Sequence, residues 1–289
     1  MAKSAKSAKS RKPAKSPRST NVVADVRRGG GGKTRRRSRL WENAKSLVGA
    51  LLIFLVIRTF FVEAFKIPSG SMIPTLLVGD WLFVNKAVYG PAVPFTDVHL
   101  PGYANPRHGD VVVFVSPYQA DEAARGNDPT PVLVKRLIGM PGDTIYMRQG
   151  VVYVDGVAQR QGFGALGYTG DPAQSPPDAT DPLFAWQSTI ALHGTRFGSA
   201  PAEPTHDNWG PLLVPPGRYF MMGDNRYCSK DSRYWGTVPR ANIRGRPLFV
   251  YYSYRPGPGG LNDCDGQTSD RPLPFVTDIR WSRLFHVIR

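Results

Sequence analysis

The run Pro68-Ser69-Gly70-Ser71-Met72-Ile73-Pro74-Thr75-Leu76 sets two serine hydroxyls among small residues and prolines. That composition bends the backbone and leaves Ser69 and Ser71 at a turn rather than inside a regular element. A serine becomes a nucleophile only with a base within hydrogen-bond reach and donors for the oxyanion that forms. Histidine is the usual base. None of the five here (His99, His108, His193, His206 and His286) stands in a catalytic context, and all read as surface or loop residues. No Gly-x-Ser-x-Gly elbow and no His-Glu-x-x-His zinc pattern occurs.

Lysine is the remaining candidate base. Lys135 interrupts the apolar run Val132-Leu133-Val134-Lys135-Arg136-Leu137-Ile138. Strand alternation puts Leu133 and Lys135 on one face and Val132 and Val134 on the other, with the amine partly desolvated. Burial lowers an amine's pKa from about 10.4 by up to several units, which makes a usable base near neutral pH. A lysine in a strand can equally lie on a solvated edge, so the residue alone does not decide. A third cluster, Met221 to Gly236, packs Asp224, Arg226, Ser229, Asp231 and Arg233 straight after a strand signal. It reads as a polar network holding a turn, with pairs such as Asp231 and Arg233. Its functional version has Ser229 orienting the lysine.

The elements that must position these groups differ sharply in composition. The chain carries 37 Lys and Arg against 22 acidic residues. Residues 1–45 hold 15 of the basic residues against Asp25 and Glu42, so the tail is +13 and the remaining 244 residues are +2. The tail repeats Ala-Lys-Ser and has almost no bulky apolar side chains, so it is expected to be disordered. Such a tail fits a nucleic-acid-binding arm or a cytoplasmic flank of a membrane helix. Residues 46–65 (SLVGALLIFLVIRTFFVEAF) favour the second, being about as long as a bilayer span requires. No Ala-x-Ala cleavage site directly follows it. Arg58 is expected to snorkel outward or to meet Glu63. The N-terminus is then cytosolic and residues 66–289 lie outside the membrane.

That outer part is mostly β. Strands are expected at Trp81–Val84, Asp110–Val115, Val132–Ile138, Thr144–Met147, Val151–Val154, Arg218–Met222 and Pro247–Tyr254. Asp155-Gly156 marks a tight hairpin turn. Residues from about 159 to 216 mix turn dipeptides with few periodic strands and form an insertion or cap. Phe275–Arg289 is too short and too charged to cross a membrane again. Trp81, Phe83, Tyr89 and Phe95 are either core residues or a rim at the lipid interface. Cys228 and Cys264 could pair outside the cytosol or stay as thiols; a Cys228 thiol beside Ser229 would make activity sensitive to alkylation.

Taken together, these residues resemble the bacterial type I signal peptidase (leader peptidase) family. The likeness runs through the anchor, Phe65–Leu76, Gly79-Asp80, His108–Phe114, Val134-Lys135-Arg136, Gly139–Asp143 and Gly223–Gly236. It leaves out the insertion and the basic tail. At Tyr227-Cys228 the family more often has Asp-Asn.

The resemblance implies a signal-peptidase-like coiled β-sheet with an inserted cap, preceded by one transmembrane helix. It implies Ser71 as nucleophile, Lys135 as general base, and an oxyanion hole from the Ser71 N–H and the Ser69 hydroxyl. Ser229 would hold the lysine, while Asp224, Arg226, Asp231 and Arg233 support the site. Phe65, Ile67, Leu76, Leu82, Val113, Leu133 and Val134 would line pockets for small side chains. The implied substrates are secretory preproteins cut at Ala-x-Ala-like sites, beside the membrane lipid and near the export channel, with no metal, cofactor or nucleic acid. The competing expectation is a non-catalytic, membrane-anchored β-domain interaction protein, which would not need Ser71 and Lys135 together.

Overall fold

The computed structural model describes residues 32–94, 96, 98–160, 178–255 and 276–289. Helix α1 runs Gly32–Phe60, and its stretch Trp41–Phe60 is apolar and long enough to cross a membrane. Leu51, Leu52, Ile53 and Phe54 on it are all more than half exposed, so no protein core covers them. Two sequence expectations shift here. The helix begins within the basic tail, because lysine and arginine are good helix formers and propagation adds a bond per residue once a helix exists. It also ends at Phe60 rather than Phe65. Val62–Lys66 form strand β1, paired with β2 (Asp80–Asn85) from Val62↔Asn85 to Lys66↔Trp81. Glu63 meets Lys86 across this junction at 3.3 Å rather than Arg58.

The outer domain is two antiparallel sheets. The larger combines β1, β2, β3 (Val111–Val115), β4 (Val132–Gly139), β9 (Arg218–Met222), β10 (Val238–Pro239), β11 (Ile243–Ser253) and β12 (His286–Val287). Its order is β1-β2-β11-β3-β4-β9-β10, with β12 on β11. The smaller is β7-β6-β5-β8, from β5 (Thr144–Arg148), β6 (Val151–Val154), β7 (Val157–Ala158) and β8 (Trp209–Leu213). The Asp155-Gly156 turn joins β6 to β7 with both residues at positive φ, the conformation of a two-residue hairpin loop.

Strand β3 explains why the centre of the large sheet is an unbroken apolar run. Val111 and Val113 pack with Ile67, Met72, Leu76, Leu82 and Val84 on one face. Val112 and Phe114 pack with Leu137, Met221 and Val238 on the other. A strand covered on both faces has no solvated side to carry polar residues. The C-terminal segment completes the domain, with β12 on β11 at Phe249↔Val287. Tyr89 is a core residue, buried and hydrogen-bonded to Asp110, and Phe83 stacks on Tyr251. Phe95 lies outside the described residues.

The insertion is shorter than the composition implies. Its last segment, Trp209–Leu213, is β8, whose glycine and proline hid the strand pattern from the sequence. Before it, Pro182–Thr189 form a 3-10 helix capped by Asp181, whose carboxylate accepts from the Leu183 N–H.

Candidate active site

Ser71 sits in a single 3-10 turn, Gly70–Met72, that follows β1 and is buried. Ser69 precedes the turn in an extended conformation, and its hydroxyl makes no capping bond. Lys135 lies mid-way along β4, paired with Val112 of β3. The fold brings the two together: Lys135 Nζ donates to Ser71 Oγ at 2.7 Å. Lys135 is only 4% exposed. Burial pushes its amine down from 10.5 to about 8, offset in part by the Asp231 and Asp224 carboxylates and reinforced by the Arg233 charge. Beside the pair lies a cleft of about 70 Å³, lined by Phe65, Ile67, Ser69, Ser71, Met72 and residues 132–135.

Around the pair, buried charge is matched. Arg136, next to Lys135 and on the opposite face of β4, holds Asp224 in a two-pronged contact with both distances 2.7 Å. Asp224 also accepts from the Thr75 hydroxyl at 2.5 Å, so the same pair ties β4 to the loop that follows Ser71. Asp231 and Arg233 form a second such pair at 2.9 Å, both at 0% exposure. Burial alone would raise the Asp231 carboxyl, but Arg233 holds it below the usual carboxylate range. Arg226 is buried and its Nε donates to the Gly223 carbonyl at 3.0 Å.

The loop after β9 meets the turn that carries Ser71 directly. Asn225 N–H donates to the Ser71 carbonyl at 3.1 Å and the Asn225 side chain to the Gly70 carbonyl at 3.3 Å. This approach needs a glycine: a Cβ on Gly223 would overlap the Ser229 side chain and the Ser71 carbonyl. We expect Gly223→Ala to lower turnover about a hundredfold, since a shift near 1 Å at the reacting atoms suffices. It should also cost roughly 1–3 kcal/mol of stability through overpacking, read by turnover and thermal melting of the purified enzyme.

Several expected residues stand elsewhere. Leu76, Leu82 and Val113 are at 0% exposure inside the core cluster and do not line the cleft. They point into the interior that supports it. Met72 lines it instead. Ser229 is buried with its Oγ making no hydrogen bond among the described residues, so it does not hold the Lys135 amine by one. Cys228 is disulfide-bonded and offers no thiol to alkylate. Cys264, the only other cysteine in the chain, lies outside the described residues. His206, read as a surface or loop residue, is buried against Arg233. Arg136, Thr75 and His206 were missed as site residues. The local sequence around His206 carries no signal, whereas Thr75 stands in the same motif as Ser71 and Arg136 was visible as a charge inside an apolar run.

A serine hydroxyl bonded to a desolvated lysine amine, on a curled β domain behind one apolar helix, has the layout of an anchored serine peptidase. The family described as "Signal peptidase, peptidase S26" matches residues 40–252. "Signal peptidase I" of Pseudomonas aeruginosa is 37% identical over 238 residues, covering 77% of this chain and 76% of its own length. That of Pseudomonas fluorescens is 36% identical with the same coverage, and that of Aquifex aeolicus 31%, covering 70% and 80%. The chain belongs to the peptidase S26 signal peptidase family, and is a membrane-anchored serine peptidase.

Proposed function

We propose that this enzyme removes N-terminal signal peptides from exported preproteins at Ala-x-Ala-like sites, with Ser71 as nucleophile and Lys135 as general base. The observation that carries the reading is the buried 2.7 Å contact between the two side chains at the edge of a cleft. In the working form Lys135 is uncharged and accepts the proton of the Ser71 hydroxyl as Oγ attacks the scissile carbonyl. The Ser71 N–H and the Ser69 hydroxyl, which has no capping bond to give up, receive the oxyanion. The new ammonium then protonates the leaving amine, releasing the mature protein. Water, deprotonated by the same amine, frees the signal peptide from Ser71.

Ser229 has a role the 2.7 Å contact leaves open. Its hydroxyl is buried without a partner near the Ser71 carbonyl, which suits a group that steadies the amine once it leaves the serine. Arg136 with Asp224, Arg233 with Asp231, and Arg226 hold the surrounding loops. A cleft of about 70 Å³ walled by Phe65, Ile67, Leu133 and Val134 admits small apolar side chains only. The +13 tail puts the N-terminus in the cytosol and the catalytic domain across the membrane, where the lipid and the export channel deliver the preprotein.

The test uses full-length enzyme in lipid vesicles and a preprotein with an Ala-x-Ala site. Cleavage should begin the mature chain directly after the second alanine and be lost when that alanine becomes leucine. The active species is the free amine, so kcat/KM should climb about tenfold per pH unit up to about 8 and level off above it. Uncut preprotein, or a rate flat from pH 6 to 9, overturns the proposal.

A further inference from the structure

Three side chains of the insertion converge on one residue of the catalytic loop. Trp186 Nε1 donates to the Arg233 carbonyl at 2.9 Å and Gln187 Nε2 to the same oxygen at 3.2 Å. His206 meets the Arg233 side chain, with Nη1 2.7 Å from Nε2 and 3.4 Å from Nδ1. One atom that close to both ring nitrogens lies over the face of the imidazole rather than in line with a lone pair. The Tyr227 ring also stacks on His206, with centroids 5.0 Å apart and planes at 19°. The Nδ1 edge faces Asp207 Oδ1 at 3.1 Å, and that carboxylate also accepts from the Tyr227 hydroxyl. Arg233 has only donors to offer, and the electron-rich face of the ring is what its guanidinium meets.

We propose that His206 is a positioning residue of the peptidase: its ring holds the Arg233 guanidinium against Asp231, and through that pair sets the charge felt by the Lys135 amine. The inference rests on Lys135 being the base. Arg233 spends its donors on three sides. Beyond the two Asp231 oxygens, Nη2 donates to the Arg226 carbonyl at 2.6 Å and to the Ser229 carbonyl at 3.3 Å. The guanidinium therefore holds both ends of the segment that carries Ser229. With the His206 ring gone, one side of a fully buried guanidinium loses its neighbour, and the group has room to retreat from Asp231. The charged groups around Lys135 are Asp231, Arg233 and Asp224. Those around His206 are Arg233, Asp207, Tyr227 and Asp178, whose carboxylate accepts from the Asp207 and Asn208 amides. Of the first set only Asp231 changes its degree of neutralisation when Arg233 moves. A less neutralised Asp231 favours the ammonium, so the free amine appears at higher pH.

The sign of the effect gives a readout that loss of folding would not. In full-length enzyme, His206→Ala should move the acid-limb midpoint of kcat/KM upward by about half to one pH unit. Activity at pH 7 should fall about three- to tenfold, and variant and wild type should converge near pH 10. His206→Phe, which keeps an aromatic ring in contact with Arg233, should retain the wild-type midpoint. Thermal melting reports whether each variant is folded. A His206→Ala profile that overlays the wild type, or one lowered by the same factor at every pH, overturns the positioning role. A His206→Phe midpoint that moves as far as the alanine variant's overturns it also. A wild-type profile with no acid limb removes the lysine-base reading first, and this inference with it.

Discussion

Replacing Ser71 by alanine or Lys135 by methionine should each reduce preprotein cleavage by three orders of magnitude or more, and the double variant should be no worse than either. In the proposed dyad the two groups act as a unit: without the amine the hydroxyl stays protonated, and without the hydroxyl the amine has nothing to activate. A residual rate is expected from the oxyanion donors and from substrate binding, so the single and double variants should share that floor. Steady-state cleavage of one preprotein by all four enzymes at pH 8.5 measures it. Additive losses would mean that the two side chains act in separate steps.

The same lysine substitution should stabilise the protein at neutral pH. Lys135 is at about 8 in the fold against 10.5 for the free side chain, so between those values the unfolded chain binds more protons. Stability therefore rises with pH across that window and is lowest below 8. At pH 6 the buried amine costs on the order of 3 kcal/mol, which Lys135→Met removes. Denaturant melts of the two proteins at pH 6 and pH 10 should differ at the first and nearly coincide at the second. An inactive variant that is more stable than the parent is the mark of a site whose charge is held against its preference.

Arg136→Met is expected to have the largest effect on stability. It strips the Asp224 carboxylate, at 0% exposure, of both guanidinium hydrogen bonds, and removing one partner of a buried pair costs about 3–5 kcal/mol. The loss extends to function, because Asp224 would then keep only the Thr75 hydroxyl among these contacts, loosening the segment that follows Ser71. Arg136→Met combined with Asp224→Leu should recover much of the stability, since no buried charge remains unmatched. Chemical denaturation of the three variants decides it. A double variant as unstable as the single would show that Arg136 acts through the Gly109 and Arg289 carbonyls it also contacts.

How much of this was legible before the fold was known depends on how far apart the interacting residues are in the chain. The strands at Val111–Val115, Thr144–Arg148 and Val151–Val154 were readable because β-branched runs and turn residues act within a few positions. β1 was not, because Val62–Lys66 continue the apolar character of the helix before them and differ only in having β2 to pair with. β8 was hidden by Gly210 and Pro211. Lys135 could be picked out as a charge in an apolar strand, and Ser71 as a hydroxyl at a turn. Their contact spans 64 positions and no local pattern encodes it.

The amino-acid order by itself determined the membrane-length helix, the basic flank, the mostly-β domain and the set of residues from which a site could be drawn. Each of these follows from composition or short-range periodicity, where solvation and backbone preference are the governing physics. Only the tertiary structure decided which groups meet. The β3–β4 register brings Lys135 opposite Val112, the β4–β9 pairing brings Asp224 to Arg136, and the insertion lays His206 over Arg233. Those meetings set how dry the amine is and which charges it feels, and a pKa is a property of that surrounding rather than of the lysine.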